Sequence, residues 1–163
     1  MRETGRGHLD RDAEGVSVQF ERVLAAPADK VWELLATADG LERWLARATV
    51  DLRPGGVVDL DFGDDAIGGG DVIDVVPGTT LVYRWRFTGE PESVVRFELE
   101  AIDPETTLLR LRHTKLPDDQ ATGYGAGWHA HLDQLEALIA GDEPIDWDAR
   151  FGELLPDYRQ QTS

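Results

Sequence analysis

The sequence has 163 residues, which is enough for one domain with a single core and too few for two ordinary ones. Its 32 acidic and 16 basic residues give a formal net charge of −16, which repels phosphate backbones and anionic headgroups, so we expect neither nucleic acid nor a membrane as partner. The lack of cysteine excludes disulfides, thiolate ligands and a cysteine nucleophile. No apolar run approaches the roughly 20 residues of a spanning helix, and we expect a cytoplasmic protein.

The N-terminal part predicts a leader, a strand and two helices. Residues 1–15 alternate charge with glycine and offer little to bury, so they predict a flexible leader. Residues 16–24 alternate apolar and polar positions like a strand, which ends before Pro27. Pro27 suits the first turn of a helix running to about residue 36, and residues 41–45 predict a second short helix.

Repeated strand and turn patterns follow. Apolar residues alternate with charged ones, which indicates an antiparallel sheet with one buried face and one solvated face. We interpret the run Gly68–Gly70 as a flexible hairpin loop, and the pairs Asp64-Asp65 and Asp118-Asp119 as turn residues. The predicted strands cover residues 47–53, 57–62, 71–76, 81–87, 94–101 and 107–113.

A long amphipathic helix follows the strands and ends at Gly141. At 100° per residue, its buried stripe consists of Trp128, Leu132, Leu135 and Ile139. His131 lies on a flank of this stripe that can face inward, whereas His129 lies on the opposite flank and is predicted to face solvent. We interpret the glycine-rich stretch 123–127 as the approach to this helix, where it could also act as a gate.

These patterns divide the chain into a leader (1–15), a domain (16–141) and a C-terminal extension (142–163). The extension carries apolar residues at helical spacing and predicts a short amphipathic helix that ends near Pro156. An apolar stripe of this kind is expected to pack against another apolar surface. We favour packing against the domain of the same chain, and packing against a second copy in a homodimer is the alternative.

Six segments of the chain resemble the AHSA1-like (Hsp90 ATPase activator homologue) group of SRPBCC proteins, in the START/Bet v 1-like superfamily. They are APADKVWELL (26–35), DGLERW (39–44), LRPGG (52–56), LVYRW (81–85), GW (127–128) and LDQL (132–135). The resemblance implies an α+β helix-grip fold, in which a curved antiparallel sheet of about seven strands holds a long C-terminal helix. It also implies an internal cavity for small apolar or amphipathic molecules, while members of the superfamily differ widely in function.

The inward faces of the strands and the closing helix provide the candidate cavity-lining residues. His113 and His131 could converge to bind a ligand group or to transfer a proton, although two histidines with satisfied hydrogen bonds are the simpler interpretation. His129 and His131 lie two positions apart on a helix and point about 200° apart, so no metal site is expected. The candidate ligand-binding residues are Trp44, Tyr83, Trp85, Phe97, Leu109, His113, Trp128, His131 and Leu135.

Three functions remain open at this stage. We favour non-catalytic binding of a small hydrophobic or amphipathic molecule, because large apolar residues face inward and no catalytic motif is apparent. The first alternative is a pocket enzyme, cyclase-like or dehydratase-like, that uses His113 or His131 as acid or base. The second is a protein-interaction module with a co-chaperone-like role, which only the family resemblance suggests. No cofactor is expected.

Overall fold

The computed structural model describes residues 6–162, and this part of the chain forms eight strands and four helices. In chain order they are β1 (His8–Asp12), β2 (Gly15–Leu24), α1 (Ala28–Ala36), α2 (Ala38–Trp44), β3 (Arg47–Asp51), β4 (Val57–Asp61), β5 (Ile67–Val76), β6 (Thr80–Trp85), β7 (Ser93–Asp103), β8 (Thr106–Leu116), α3 (Asp118–Ala140) and α4 (Trp147–Thr162).

The strands form one antiparallel sheet in the order β1-β2-β8-β7-β6-β5-β4-β3. Inward side chains such as Phe97 and Leu111 share the core with Leu132 and Leu135 of α3, all of them at most 1% exposed. The predicted α+β helix-grip fold is therefore confirmed, with eight strands instead of about seven. Within residues 6–162, no helix is long and apolar enough to span a membrane.

The additional strand is β1, which the sequence assigned to a flexible leader. That prediction is wrong for His8–Asp12, which pair with β2 in the register His8↔Gln19 to Asp12↔Gly15. The strand was missed because an edge strand is held by backbone hydrogen bonds and needs few apolar side chains. Residues 1–5 of the predicted leader lie outside the described residues.

The triple glycine belongs to strand β5, so its interpretation as a flexible loop is wrong. A Cβ atom on Gly69 would lie 2.0 Å from the Val58 carbonyl oxygen, and one on Gly70 would lie 2.7 Å from the Arg84 carbonyl oxygen. A Cβ on Gly68 would meet the rings of Phe62, Phe87 and Trp85 at 3.2 to 3.3 Å. These glycines therefore allow close packing of backbone and aromatic rings inside the sheet.

Helix α3 begins at Asp118, which corrects two predictions. Asp118 and Asp119 lie in the first helical turn of α3 and not in a loop between elements. Their carboxylates interact favourably with the positive N-terminal end of the helix dipole. The glycine-rich stretch 123–127 is helical, because tertiary packing stabilises the helix there despite the low helix propensity of glycine. Gly125 shows this most clearly, since a Cβ there would lie 2.6 Å from Cδ1 of Tyr158 in α4.

Helix α4 packs against α3 and extends to Thr162, beyond the predicted end near Pro156. Its last turns are held by the N-terminal segment: the Gly7 N–H donates to the Tyr158 hydroxyl at 2.7 Å, and the Leu9 N–H donates to Gln161 at 3.0 Å. Leu154 and Tyr158 are buried. These tertiary contacts explain why the helix tolerates an internal proline.

His129 is 2% exposed, so the prediction that it faces solvent is wrong. Its Nδ1 lies 2.7 Å from the Tyr158 hydroxyl, and its ring packs edge-on against Phe20 at 6.0 Å between centroids. The helical wheel correctly placed His129 to one side of the buried stripe that contains Trp128 and Leu132. It could not show that residues of α4 and β2 pack over that side of the helix.

Asp133 joins three elements beside His129. Its carboxylate accepts hydrogen bonds from Arg22 of β2 at 3.0 Å and from Arg150 of α4 at 2.8 Å. Arg22 is 5% exposed and also donates to Glu136. The nearly buried charge of Arg22 is thus matched by two carboxylates of α3, as burial of an ion requires.

Candidate ligand-binding site

A cavity of about 770 Å³ lies between the sheet, α3 and α4. Most of its wall is apolar, with polar groups at a few positions. Its lining residues are Trp44, Leu45, Phe62, Trp85, Phe87, Glu90, Asp119, Gln120, Gly123, Tyr124, Gly127, Trp128, His131, Gln134, Pro144, Ile145, Trp147, Asp148 and Phe151.

One face of α3 forms the floor of the cavity. Its lining residues recur at spacings of three and four, as expected for one side of a helix. Gly123 and Gly127 lie in the middle of this face, where a Cβ on Gly123 would meet no atom within 4 Å. The absence of side chains at these two positions therefore contributes to the space. The α3 lining residues are Gln120, Gly123, Tyr124, Gly127, Trp128, His131 and Gln134.

Residues of α4 and the loop before it form a second wall. The Trp147 ring lies 5.1 Å from the His131 ring and stacks on Phe151 at 5.0 Å between centroids. Pro144 and Ile145 complete this wall. The sequence indicated the apolar stripe that contains Trp147 and Phe151 but assigned it to packing on the domain or, as the alternative, on a second copy, because the path of the chain after Gly141 was unknown.

A hydrogen-bond network crosses the cavity wall at Tyr124. The indole N–H of Trp85 donates to the Tyr124 hydroxyl at 2.7 Å, and this hydroxyl donates to the Glu90 carboxylate. Burial and the hydrogen bond to Glu90 raise the pKa of Tyr124, so the phenol stays protonated at neutral pH. The network connects the loop after β6 to the second turn of α3.

His131 is half-buried and lines the cavity between aromatic rings. Its ring lies 6.0 Å from Trp128 and 6.1 Å from Phe62. Burial lowers its pKa to about 4, although a hydrogen bond to the Trp44 backbone acts in the opposite direction. The imidazole is therefore neutral at neutral pH.

His113 does not line the cavity, so it does not meet His131 at a shared ligand position, and the simpler interpretation, a histidine with satisfied hydrogen bonds, describes it. Its Nδ1 accepts the Trp128 indole N–H at 2.9 Å, and its Nε2 lies 2.7 Å from the Ser93 hydroxyl. Because Trp128 can only donate, the proton of the neutral ring lies on Nε2. Burial lowers the pKa of His113 to about 3. This is a structural histidine with both nitrogens satisfied.

The structure brings only part of the predicted set to the cavity. Trp44, Trp85, Trp128 and His131 line it. The other five, Tyr83, Phe97, Leu109, His113 and Leu135, are fully buried core residues outside the lining. Strand alternation identifies which residues face inward, but it does not distinguish the filled part of the interior from the open part.

Phe62 and Phe87 were missed although the strand patterns contained a signal for them. Each continues the inward face of its predicted strand, and each contacts the ring of Trp85. Glu90 had no such signal, because it lies in the loop between β6 and β7. Among residues 6–162, no group of three or more His, Asp or Glu side chains is arranged to hold a metal ion.

Known structures resemble the chain over most or nearly all of its length. CalU16 from Micromonospora echinospora has 25% identity and a TM-score of 0.79, with 99% of each chain covered. The BPP1335 protein from Bordetella parapertussis has 31% identity and a TM-score of 0.74, over 98% of this chain and 95% of that one. The Aha1 dimer from Colwellia psychrerythraea, at 18% identity and a TM-score of 0.65 over 76% of this chain and 95% of that chain, shares the fold.

The family comparison covers most of the domain. No curated protein matches the chain. The family model described as "Activator of Hsp90 ATPase homolog 1-like protein" matches residues 25–140, which include both short helices, strands β3 to β8 and the whole of α3. The chain therefore belongs to the AHSA1-like family.

Proposed function

We propose that this protein binds a small hydrophobic or amphipathic molecule in the cavity between the sheet, α3 and α4, without catalysing its conversion. The observation that carries the proposal is an open volume of about 770 Å³ within the wall described above. Pockets that bind small molecules commonly have about 300–1,000 Å³ and apolar walls with a few polar groups. The aromatic lining residues are Trp44, Phe62, Trp85, Phe87, Tyr124, Trp128, Trp147 and Phe151.

The polar chemistry supports binding over catalysis. His113 is occupied by Trp128 and Ser93, and the Tyr124 hydroxyl is occupied by Trp85 and Glu90. His131, with a pKa of about 4, is a weak base at neutral pH. Flat aromatic walls favour a ligand with planar apolar parts, because ring stacking adds to the burial of apolar area.

A second candidate function is favoured by one observation, namely that His131 lines the cavity in its neutral form. A neutral imidazole can accept a proton from a bound substrate. If the protein is an enzyme, a His131→Gln variant loses turnover while it retains ligand affinity. If turnover of a converted ligand persists in this variant, His131 is not the base.

The binding proposal is tested by filling the cavity from Gly123. Four of the five tryptophans line the cavity, so intrinsic fluorescence reports occupancy directly. We expect 9-anthracenemethanol to quench this fluorescence in the wild type and in Gly123→Ala. We expect Gly123→Leu to weaken binding of the probe at least about tenfold relative to Gly123→Ala, since leucine places three more carbon atoms than alanine in the open volume.

Gly123→Ala is the matched control because it makes the same helix-favouring change without filling the cavity. Far-ultraviolet circular dichroism and thermal melting establish that both variants are folded. Unchanged affinity in folded Gly123→Leu would show that the probe binds elsewhere, and this result would refute the proposed site.

A further inference from the structure

Two polar side chains of α3 line the cavity one helical turn apart. His131 and Gln134, here called the polar pair, both belong to the lining. They are three positions apart in the helix, so their Cβ atoms lie about 5–6 Å apart on the same face. The aromatic rings nearest to His131 are those of Trp147 at 5.1 Å, Trp128 at 6.0 Å and Phe62 at 6.1 Å between centroids. The polar pair therefore forms a hydrogen-bonding position within an aromatic wall.

His131 provides a hydrogen-bond acceptor at this position. Its ring donates one N–H to the backbone of Trp44. In a neutral imidazole with one nitrogen protonated, the second nitrogen carries a lone pair and can only accept. Among residues 6–162, no group donates a hydrogen bond to this second nitrogen.

Gln134 provides a donor one turn further along the helix. Its Oε1 atom accepts the Ile145 N–H at 2.8 Å, which fixes the orientation of the amide and leaves the Nε2 atom at the free end. This Nε2 atom donates to no acceptor within the part of the chain that the structure describes. The polar pair thus combines one unused acceptor with one unused donor.

Solvent reaches both of these atoms. In the described range, the side-chain oxygen and nitrogen atoms that are buried without a hydrogen-bond partner belong to Tyr83, Gln120 and Trp147. The second nitrogen of His131 and the Nε2 atom of Gln134 are not among them, so they are accessible, and both residues border the open volume. A ligand that displaces water from these atoms loses affinity unless it replaces the hydrogen bonds of that water.

We infer that the ligand of this cavity is a neutral aromatic molecule with a hydroxyl group that binds between His131 and Gln134. The hydroxyl donates to the second nitrogen of His131 and accepts from the Nε2 atom of Gln134, so one oxygen atom satisfies both. A carboxylate has no proton to donate to His131, and none of the described lining residues is a lysine or arginine that would pair with it. This inference rests on the proposed function, because it specifies the ligand of the same cavity.

The same contact favours binding without conversion of the ligand. The pKa of His131 is about 4, whereas that of a phenol is about 10. The imidazole therefore accepts the hydrogen bond and leaves the proton on the ligand oxygen.

The test uses three neutral probes that share one ring system. They are 9-anthracenemethanol, which can donate and accept, 9-(methoxymethyl)anthracene, which can only accept, and 9-ethylanthracene, which can do neither. Tryptophan quenching measures each affinity. Because the ethyl probe responds to any change in the apolar wall, the ratio of alcohol to ethyl affinity isolates the contribution of the hydroxyl.

We expect this ratio to fall at least about fivefold in His131→Phe and about threefold in Gln134→Met, because each variant removes one hydrogen bond to the hydroxyl. The ratio of alcohol to ether affinity should fall in His131→Phe but not in Gln134→Met, since only the alcohol donates to His131. Circular dichroism and thermal melting establish that the variants are folded.

Two control variants should change the ratio of alcohol to ethyl affinity by less than about twofold. His131→Gln replaces the imidazole by a side chain that retains an acceptor. Gln120→Met makes the same substitution as Gln134→Met at another lining position, about 21 Å away along α3.

The outcomes distinguish this inference from the proposed function. If the alcohol and ethyl probes bind but their ratio is unchanged in either His131→Phe or Gln134→Met, the hydroxyl-bearing ligand is refuted and the cavity remains a binding site. An equal fall in Gln120→Met also refutes it, because the effect then reflects the general polarity of the cavity. If none of the three probes binds, both the proposed function and the hydroxyl-bearing ligand are refuted.

Discussion

Gly123 and Gly125 of α3 provide a matched test of how α4 packs against the domain. Both are helical, so replacement by alanine gives each the same gain in helix propensity, about 0.5–1 kcal/mol. Their surroundings differ. A Cβ on Gly123 meets nothing within 4 Å, whereas a Cβ on Gly125 would lie 2.6 Å from Cδ1 of Tyr158.

Tyr158 has little freedom to move away. Its side chain is fully buried, and its hydroxyl is hydrogen-bonded to the Gly7 N–H and to His129 at 2.7 Å each. Forcing a methyl group into such a contact costs about 1–3 kcal/mol. We therefore expect Gly123→Ala to raise the free energy of unfolding by about 0.5–1 kcal/mol, and Gly125→Ala to be about 1–3 kcal/mol less stable than Gly123→Ala.

Urea denaturation of both variants and the wild type measures this difference, and the propensity gain cancels between the variants. A difference of 1 kcal/mol corresponds to about 2–4 °C in Tm for a chain of this size. A Tyr158→Leu change should relieve the clash, so that Gly125→Ala costs less in that background. Equal stability of Gly123→Ala and Gly125→Ala would refute the packing of α4 on α3 at this contact.

Two further predictions concern charge. Because burial holds the pKa of His131 at about 4, below its usual 6.5, the unfolded chain binds the proton first, and stability is lost as pH falls from 6.5 toward 4. In His131→Phe, the loss of unfolding free energy between pH 7 and pH 5, measured by urea titration, should be about 2 kcal/mol smaller than in the wild type; an equal loss would contradict burial of a neutral imidazole. Asp133→Asn should destabilise by about 2–4 kcal/mol, because Arg22 and Arg150 lose a carboxylate that joins β2, α3 and α4. Glu136→Gln, at a side chain 43% exposed, should cost less than about 1 kcal/mol, and an equal cost for both would refute the central position of Asp133.

The sequence predicted the core of the fold well, because local periodicity reflects burial directly. Alternation along β2, β6, β7 and β8 and the stripe of Trp128, Leu132 and Leu135 identified side chains that the structure buries. Its errors share one physical cause. At β1, at Gly68–Gly70 and along the first turns of α3, the local preference was for irregular structure, but contacts with distant residues stabilised a strand or a helix.

The candidate site was only partly predictable for a related reason. An inward-facing aromatic residue looks the same in sequence whether it fills the core, as Phe97 does, or borders open space, as Trp85 does. Glu90 and Asp148 reach the cavity from a loop and from α4, whose positions no periodicity encodes. His113 and His131 share inward faces, yet their partners give them different environments.

The sequence by itself thus determined the helix-grip architecture, the family and the acidic character of the protein, because these follow from periodicity, motif order and composition. Only the tertiary structure decided where α4 lies, which interior positions stay open, and which charges face the cavity. These properties depend on the packing of residues far apart in the chain, such as Gly125 with Tyr158 and Glu90 with Tyr124.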